Sequence, residues 1–272
     1  MDLSITPIPA FTDNYFWLLE RGGTAVVVDP GDAGPVERVL ADRRLVLAAI
    51  LVTHHHFDHI GGLRALTARH PVPVYGPAAE QRTIGALTHA LQEGDRVWLA
   101  PLNLELQVWE VPGHTLGHIA YVGKDPRQQN SGAGFVLCGD TLFSAGCGRL
   151  FEGTAEQLHR SLGRLAALPP ATRVYCTHEY TLANLAFAAV VEPDNAAVRE
   201  EIGRVRELRA RGEPSLPSTI GHELQINPFL RVEDPAVVVA VQRQSAIGAS
   251  SPGEIFAALR RWKDGFRAPI SP

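Results

Sequence analysis

From Thr53 to His59 the chain reads Thr-His-His-His-Phe-Asp-His, placing four imidazoles and a carboxylate in seven residues. In extended backbone, residues two apart point the same way, so His54 and His56 can share one metal ion while Phe57 turns away to apolar packing. Asp58 and His59 are adjacent and stand where a bend into a helix could aim both at a second ion. Neutral imidazole and carboxylate suit zinc, iron or manganese, and a cluster without Cys is not a closed structural zinc site. Gly61 and Gly62 are expected to remove side chains where backbone crowds the ions. Such a site would activate water for hydrolysis.

The elements around this stretch put it at a strand-to-helix junction. The apolar run Leu45 to Val52 reads as a buried strand, and Leu63 to His70 as a helix. Ligand chemistry in α/β proteins collects at such strand ends. The placement recurs. Leu104 to Val111 alternates as a strand, with Leu104, Leu106 and Val108 on one face, and Pro112-Gly113-His114 follows it. His114 is read as a third imidazole for the first metal, and His118 as a packing residue or a support behind the ligands. Phe135 to Cys138 is a short strand that ends in Gly139-Asp140-Thr141, and the Asp140 carboxylate could bridge two cations and offset their repulsion. Arg173 to Cys176 is another strand, and His178 beyond it is a sixth ligand. Asp29 follows the strand Thr24 to Val28. Two readings stay open for it: a turn residue, or an acceptor for a metal-bound His.

Other segments read as scaffold. Tyr15 to Leu19 and Val72 to Tyr75 are strands, and Pro35 to Arg44 is an amphipathic helix. Asn130 to Gly134 is a polar loop. Residues 142–153 form a tight glycine-containing loop without the Lys-Ser/Thr of a phosphate loop, and its Cys147 is a packing residue. Thr154 and Gln157 have capping-box spacing for a helix from Ala155 to Leu168. Helices dominate after residue 178, at Thr181 to Val191, Ala196 to Arg211, Asp234 to Ser245 and Pro252 to Phe266. A boundary is therefore expected near 178–181, dividing a strand-rich domain (1–178) that carries the ligand cluster from a helical domain (179–272).

Composition limits the function classes. The 272 residues are 45% hydrophobic and carry a net charge of −4, with a pI of about 6.3. Nucleic acid and anionic membranes are not expected partners. No apolar run approaches the roughly 20 residues needed to span a bilayer. The start of the chain has no basic, apolar leader pattern. Three cysteines without a CxxC pair fit a reducing compartment, so a cytoplasmic protein, read as a monomer, is expected.

His54-x-His56-x-Asp58-His59 resembles the signature of the metallo-β-lactamase-fold hydrolases. Further motifs narrow the resemblance to the glyoxalase II (hydroxyacylglutathione hydrolase) family. They are Pro112-x-His114-Thr115-x-Gly117-His118, Gly139-Asp140-Thr141-Leu142-Phe143, Gly146-Cys147-Gly148-Arg149 with Phe151-Glu152-Gly153-Thr154, and His178-Glu179-Tyr180-Thr181. Asn227-Pro228-Phe229-Leu230-Arg231 and Leu259-Arg260-x-x-Lys263-Asp264 complete the match and lie outside the metal-binding half. The resemblance implies an α/β fold, an αββα sandwich followed by a small C-terminal α-helical domain. It implies two divalent metals, zinc first with iron or manganese as alternatives. His54, His56 and His114 would hold one and Asp58, His59 and His178 the other, with Asp140 and a water or hydroxide between them. Asp58 and Asp140 would serve catalysis. Arg149, Tyr180, Arg260 and Lys263 would contact glutathione. Arg149 and Phe151 stand where the vertebrate pattern has Lys and Tyr, and Phe151 can offer only its backbone. The implied activity is hydrolysis of S-(2-hydroxyacyl)glutathione thioesters, S-D-lactoylglutathione first among them. The alternatives are a glutathione persulfide dioxygenase with one iron, or a lactonase or β-lactamase of the same fold. A metal-stabilised binding module without catalysis is disfavoured by the complete, open ligand set and the acidic pI.

Overall fold

The computed structural model describes residues 2–124, 134–245, 248 and 251–267. Most of the expected loop at Asn130 to Gly134 lies outside them, while Gly134 itself opens a strand. The chain begins with β1 (Ser4–Ala10), β2 (Asn14–Arg21) and β3 (Thr24–Val28), joined as antiparallel neighbours. Helix α1 (Ala33–Arg43) then crosses to β4 (Val46–Leu51), which runs parallel to β3. A one-turn helix α2 (Phe57–Ile60) and α3 (Leu63–Arg69) lead to β5 (Val74–Pro77). A second one-turn helix, α4 (Gln81–Ile84), precedes β6 (His89–Leu91). These six strands form the first sheet in sequence order.

The second sheet is built from β7 (Arg96–Leu99), β8 (Leu104–Glu110), β9 (Ile119–Lys124) and β10 (Gly134–Gly139). A small hairpin, β11 (Leu142–Phe143) with β12 (Gly146–Cys147), occupies the loop expected at 142–153. Helix α5 (Ala155–Ala166) follows, with both hydrogen bonds of the Thr154–Gln157 capping box formed at its N-terminus. Strand β13 (Arg173–Cys176) then pairs parallel to β10.

The two sheets bury a common core. Trp17, Leu19, Val26, Val28 and Leu51 from the first meet Leu104, Leu106, Val108 and Tyr121 from the second. The alternate residues of β2 to β4, among them Phe16, Leu18, Val27 and Ile50, pack beneath Val36 and Leu40 of α1 and Leu63 and Leu66 of α3. Strands buried on both faces read as unbroken apolar runs, which is why Leu45 to Val52 shows no alternation. Helix α5 lies across the outer face of the second sheet, where Arg164 sits over the Trp109 ring at 4.9 Å. Helices outside two facing sheets make an αββα sandwich.

The remaining helices are α6 (Thr181–Val191), α7 (Ala196–Ala210), α8 (Ile220–Ile226), α9 (Pro235–Ser245) and α10 (Pro252–Gly265). The two-residue strand β14 (Ser218–Thr219) lies between α7 and α8 and pairs with β13. Neither β14 nor α8 was expected from periodicity, since each is too short to show one. Phe187, Phe229, Ile255 and Phe256 join the same core cluster as the sheets, so the helical half packs continuously onto the sandwich.

One buried ion pair in this half makes a test of its electrostatics. Glu201 on α7 accepts from Arg204 at 2.6 and 2.7 Å and lies 3.2 Å from His222 Nε2 of α8. Burial pushes its pKa up, but Arg204 and His222 outweigh burial and hold it at about 2. A carboxylate depressed on folding contributes stability above its unfolded pKa, and that stability is lost as the pH falls toward the folded value. Glu201→Gln is expected to cost roughly 2 kcal/mol near neutrality, a figure discounted because Arg204 is half exposed. Urea unfolding from about pH 6 down to about pH 3 should show the gap to wild type closing. A constant gap would mean that the Glu201 charge is not what matters.

A candidate dinuclear metal centre

The carboxyl ends of four strands supply the site. The 54–59 stretch follows β4, His114 follows β8, Asp140 follows β10 and His178 follows β13. The parallel pairings β3 with β4 and β10 with β13 send these ends to one rim of the sandwich. Nitrogens of His54, His56 and His114 converge as one group of potential ligands. Donor atoms of Asp58, His59 and His178 form a second group, and Asp140 joins His54 and His59 in a third. His56 Nδ1 lies 3.0 Å from both His54 Nε2 and His114 Nε2. Asp140 Oδ2 lies 3.5 Å from His114 Nε2 and 3.3 Å from His178 Nε2, while its Oδ1 lies 3.5 Å from His59 Nε2. The structure thus gathers all seven residues singled out by their strand-end positions, with Asp140 between the two groups.

The donor set fits metal. His59 Nε2 and Asp140 Oδ1 face each other, buried and without hydrogen-bond partners. A buried ring nitrogen and a buried carboxylate oxygen left without partners are costly unless a cation engages the site. The outer nitrogens of His114 and His178 are committed elsewhere, which turns their inner ones toward the shared space. His114 Nδ1 donates to Arg149 O at 2.9 Å, and His178 Nδ1 to Asp13 Oδ1 at 2.8 Å. His59 Nδ1 lies 3.1 Å from Asp29 Oδ2. Such outer partners set the tautomer and the aim of a ligating imidazole.

Electrostatics separates the two groups. Burial lowers the pKa of His54, His56 and His114, leaving three neutral imidazoles ready to bind. Burial also opposes charge on His59 and His178, but carboxylates win there. Asp140 and Asp29 raise His59 to about 10, and Asp140, Asp58 and Asp13 raise His178 to about 11. Burial pushes the Asp140 carboxyl up, yet His178 and His59 pull it well below the usual range. Without metal, the second group is therefore a protonated His pair balanced by carboxylates, and a cation there replaces protons.

Residues behind the ligands account for several open readings. Asp29 is buried and accepts from Thr53 N and Thr53 Oγ1, both at 2.7 Å, besides facing His59. It therefore shapes the histidine loop as well as closing β3. His118 is neutral by burial, stacks on the His54 ring at 4.6 Å and accepts from Asp140 N at 3.1 Å. Gly61 and Gly62 do not crowd the ions as expected. A Cβ on either would lie 2.5 Å from a carbonyl of the Pro30-Gly31 turn, so they let that turn close onto the histidine loop. Cys147 is buried and its thiol is pushed up by burial, as a packing residue's would be.

Asp13 and Asn14 were missed in the sequence. Asn14 Nδ2 donates to Asp58 Oδ2 at 3.0 Å, and the turn is stitched to the far end of β13 by Tyr15 N to Thr177 O and Glu179 N to Asp13 O. A polar turn between strands carries no periodic signal, and only the long-range pairing gives it meaning.

The residues implied for glutathione are found in different states. Arg149 is exposed. Tyr180 is 37% exposed and stacks parallel on His178, with centroids 4.6 Å apart. Lys263 Nζ donates to Ala183 O at 3.0 Å, and burial followed by Arg260 lowers its pKa to about 8. Arg260 is not an open fork. It is 3% exposed and donates to Cys147 O at 3.0 Å and to Asp264 Oδ1 at 2.9 Å. Phe151 is 64% exposed, with its ring edge-on to His56 and His114 at 5.2 Å.

An αββα sandwich carrying two imidazole–carboxylate groups at one rim is the architecture of the metallo-β-lactamase superfamily, whose family model matches residues 11–178. Residues 179–266 match the model described as hydroxyacylglutathione hydrolase C-terminus. A hydroxyacylglutathione hydrolase of Cupriavidus taiwanensis is 53% identical over 272 residues, covering 97% of this chain and 100% of its own. One from Pseudomonas aeruginosa is 52% identical, with the same coverage of both chains. Among solved structures, ETHE1 from Myxococcus xanthus aligns with a TM-score of 0.60 at 25% identity, covering 97% of this chain and 98% of its own. The chain belongs to the hydroxyacylglutathione hydrolase family, and is a metal-dependent hydrolase.

Proposed function

We propose that this chain hydrolyses S-(2-hydroxyacyl)glutathione thioesters, converting S-D-lactoylglutathione to D-lactate and glutathione as the second step of methylglyoxal detoxification. The observation carrying the reading is the buried Asp140 carboxylate between two convergent ligand groups. His54, His56 and His114 would hold one divalent cation, Asp58, His59 and His178 the other, and Asp140 would serve both. Zinc leads for this nitrogen and oxygen set, and iron or manganese are alternatives. Bound there, the cation pair lowers the pKa of water toward neutrality and polarises the thioester carbonyl.

The chain's own residues do the rest. Asp58 is the base for the attacking water: burial raises its pKa, but His178 and His59 outweigh burial and keep it ionised. Asn14 holds its Oδ2 in place. The leaving thiol has a pKa near ~8.5, so no strong general acid is needed. Tyr180, Arg149 and Lys263 would orient glutathione, with Arg260 holding the loop that carries Arg149. Residues from 179 onward act as the substrate-binding unit. A monomer working in the cytoplasm completes the reading. Among the described residues, no helix is long and apolar enough to cross a membrane.

Metal analysis of protein supplied with zinc should give about two ions per chain, with rapid hydrolysis of S-D-lactoylglutathione. A firm value of one, with oxygen uptake on glutathione persulfide, would overturn the hydrolase reading in favour of the dioxygenase.

A further inference from the structure

His55 points out of the metal centre, away from its neighbours His54 and His56, and both its ring nitrogens meet carboxylates. Nδ1 lies 2.9 Å from Glu80 Oε2, and Nε2 lies 3.3 Å from Glu152 Oε1. The other oxygen of each carboxylate holds the His114 loop. Glu80 Oε1 accepts from Thr115 Oγ1 at 2.5 Å and Gly117 N at 3.1 Å, and Glu152 Oε2 accepts from Leu116 N at 2.9 Å. Glu80 is 6% exposed, and it approaches so closely that a Cβ on Gly117 would lie 2.5 Å from Glu80 Cγ. Glu152 brings in a third loop, whose Phe151 N donates to His114 O and whose Arg149 O accepts from His114 Nδ1.

We propose that Glu80, His55 and Glu152 form a positioning clamp that fixes the His56 loop against the His114 loop and so sets the metal affinity of the three-histidine position. This rests on the dinuclear thioesterase reading above. The three residues could themselves be taken for a third cation site, since their donor atoms lie close enough together. Each carboxylate spends one oxygen on the His114 loop and turns the other to His55. His55 Nδ1 and Glu80 Oε2 stand 2.9 Å apart without a directed hydrogen bond, so a third zinc equivalent is the outcome that separates a cation site from the clamp. The clamp touches neither substrate nor metal. It acts through loop geometry, and outer partners of this kind typically change metal affinity or activity 10- to 100-fold.

The test uses full-length protein stripped of metal, with zinc titrated against a chromophoric chelator. Wild type should take up about two zinc ions. Glu80→Gln and Glu152→Gln should each weaken one of the two affinities by about 10-fold or more, with the other within about 3-fold. Values of kcat should fall with that affinity at subsaturating zinc, while KM for S-lactoylglutathione stays within about 2-fold. Because both carboxylates act through one imidazole, neither change should add to the effect of His55→Ala in a double-mutant cycle. Glu152 is half exposed, so its variant keeps the test open if Glu80→Gln fails to fold. Unchanged zinc affinities in Glu152→Gln, or additive effects with His55→Ala, would overturn the clamp. A third zinc equivalent present in wild type and lost in the variants would replace it with a metal site. Failure of wild type to bind two ions would instead overturn the underlying thioesterase reading.

Discussion

Asp140→Asn is expected to lower kcat by at least about 100-fold and to drop the metal content from about two ions per chain to about one. Asn keeps the shape of Asp140 and removes only its charge. Asp140 is the carboxylate that reaches both ligand groups, with Oδ2 against His114 and His178 and Oδ1 against His59. Two cations at short range repel each other, and neutral imidazoles do nothing to offset this. In the metal-free chain the same carboxylate is the leading cause that holds up the pKa of His59 and His178 against burial. The amide therefore loses both the charge that balances the protons and the charge that balances the metals that replace them. The loss should fall on the position made by Asp58, His59 and His178, since the three-histidine group is already neutral. Metal analysis alongside steady-state kinetics decides the matter. Near wild-type turnover with two ions bound would leave Asp140 as a mere turn residue.

Arg260→Ala and Lys263→Ala are expected to fail in different ways, although the two residues stand three apart on one helix. Arg260 is buried over the Phe229 ring at 5.0 Å and donates to the Cys147 carbonyl and to Asp264. Removing a buried, hydrogen-bonded charge leaves its partners unpaired, at a cost of roughly 3 kcal/mol. The loop that carries Arg149 then loses its anchor. Arg260→Ala should lower the melting temperature and reduce kcat/KM for S-lactoylglutathione and for a small thioester alike. Lys263 donates to the Ala183 carbonyl, and its ammonium lies over the Phe187 and Phe266 rings at 5.3 and 5.6 Å. Lys263→Ala should raise KM for S-lactoylglutathione about 10-fold with kcat little changed, and should leave the small thioester nearly unaffected. The wild-type KM should also climb above about pH 8, because burial and Arg260 lower the Lys263 pKa to about 8 and the cation is lost beyond it. That rise should vanish in Lys263→Ala. Equal losses on both substrates in Lys263→Ala would make it a structural residue.

Much of the site was legible because its chemistry is local. The alternation of His54 and His56, and the position of His114, Asp140 and His178 just past apolar runs, follow from backbone periodicity alone. The amphipathic helices and the capping box at Thr154 were legible for the same reason. Residues 78–99 were not, because a one-turn helix and strands of three and four residues are too short to show a period. The burial of Arg260 over the Phe229 ring was not legible either, because one helix face does not reveal what packs against it.

The sequence by itself determined which residue types stand at strand ends, and hence the kind of chemistry available to them. Tertiary structure decided the rest: which strand ends share a rim, that Asp140 stands between the two ligand groups, and that Asp13, Asn14 and Asp29 stand behind the ligands. It also turned Glu80 and Glu152 toward His55. The physical reason is range. Backbone geometry relates residues a few positions apart, whereas His178 meets Asp58 and Glu80 meets Gly117 only after the sheets have paired and their core has closed.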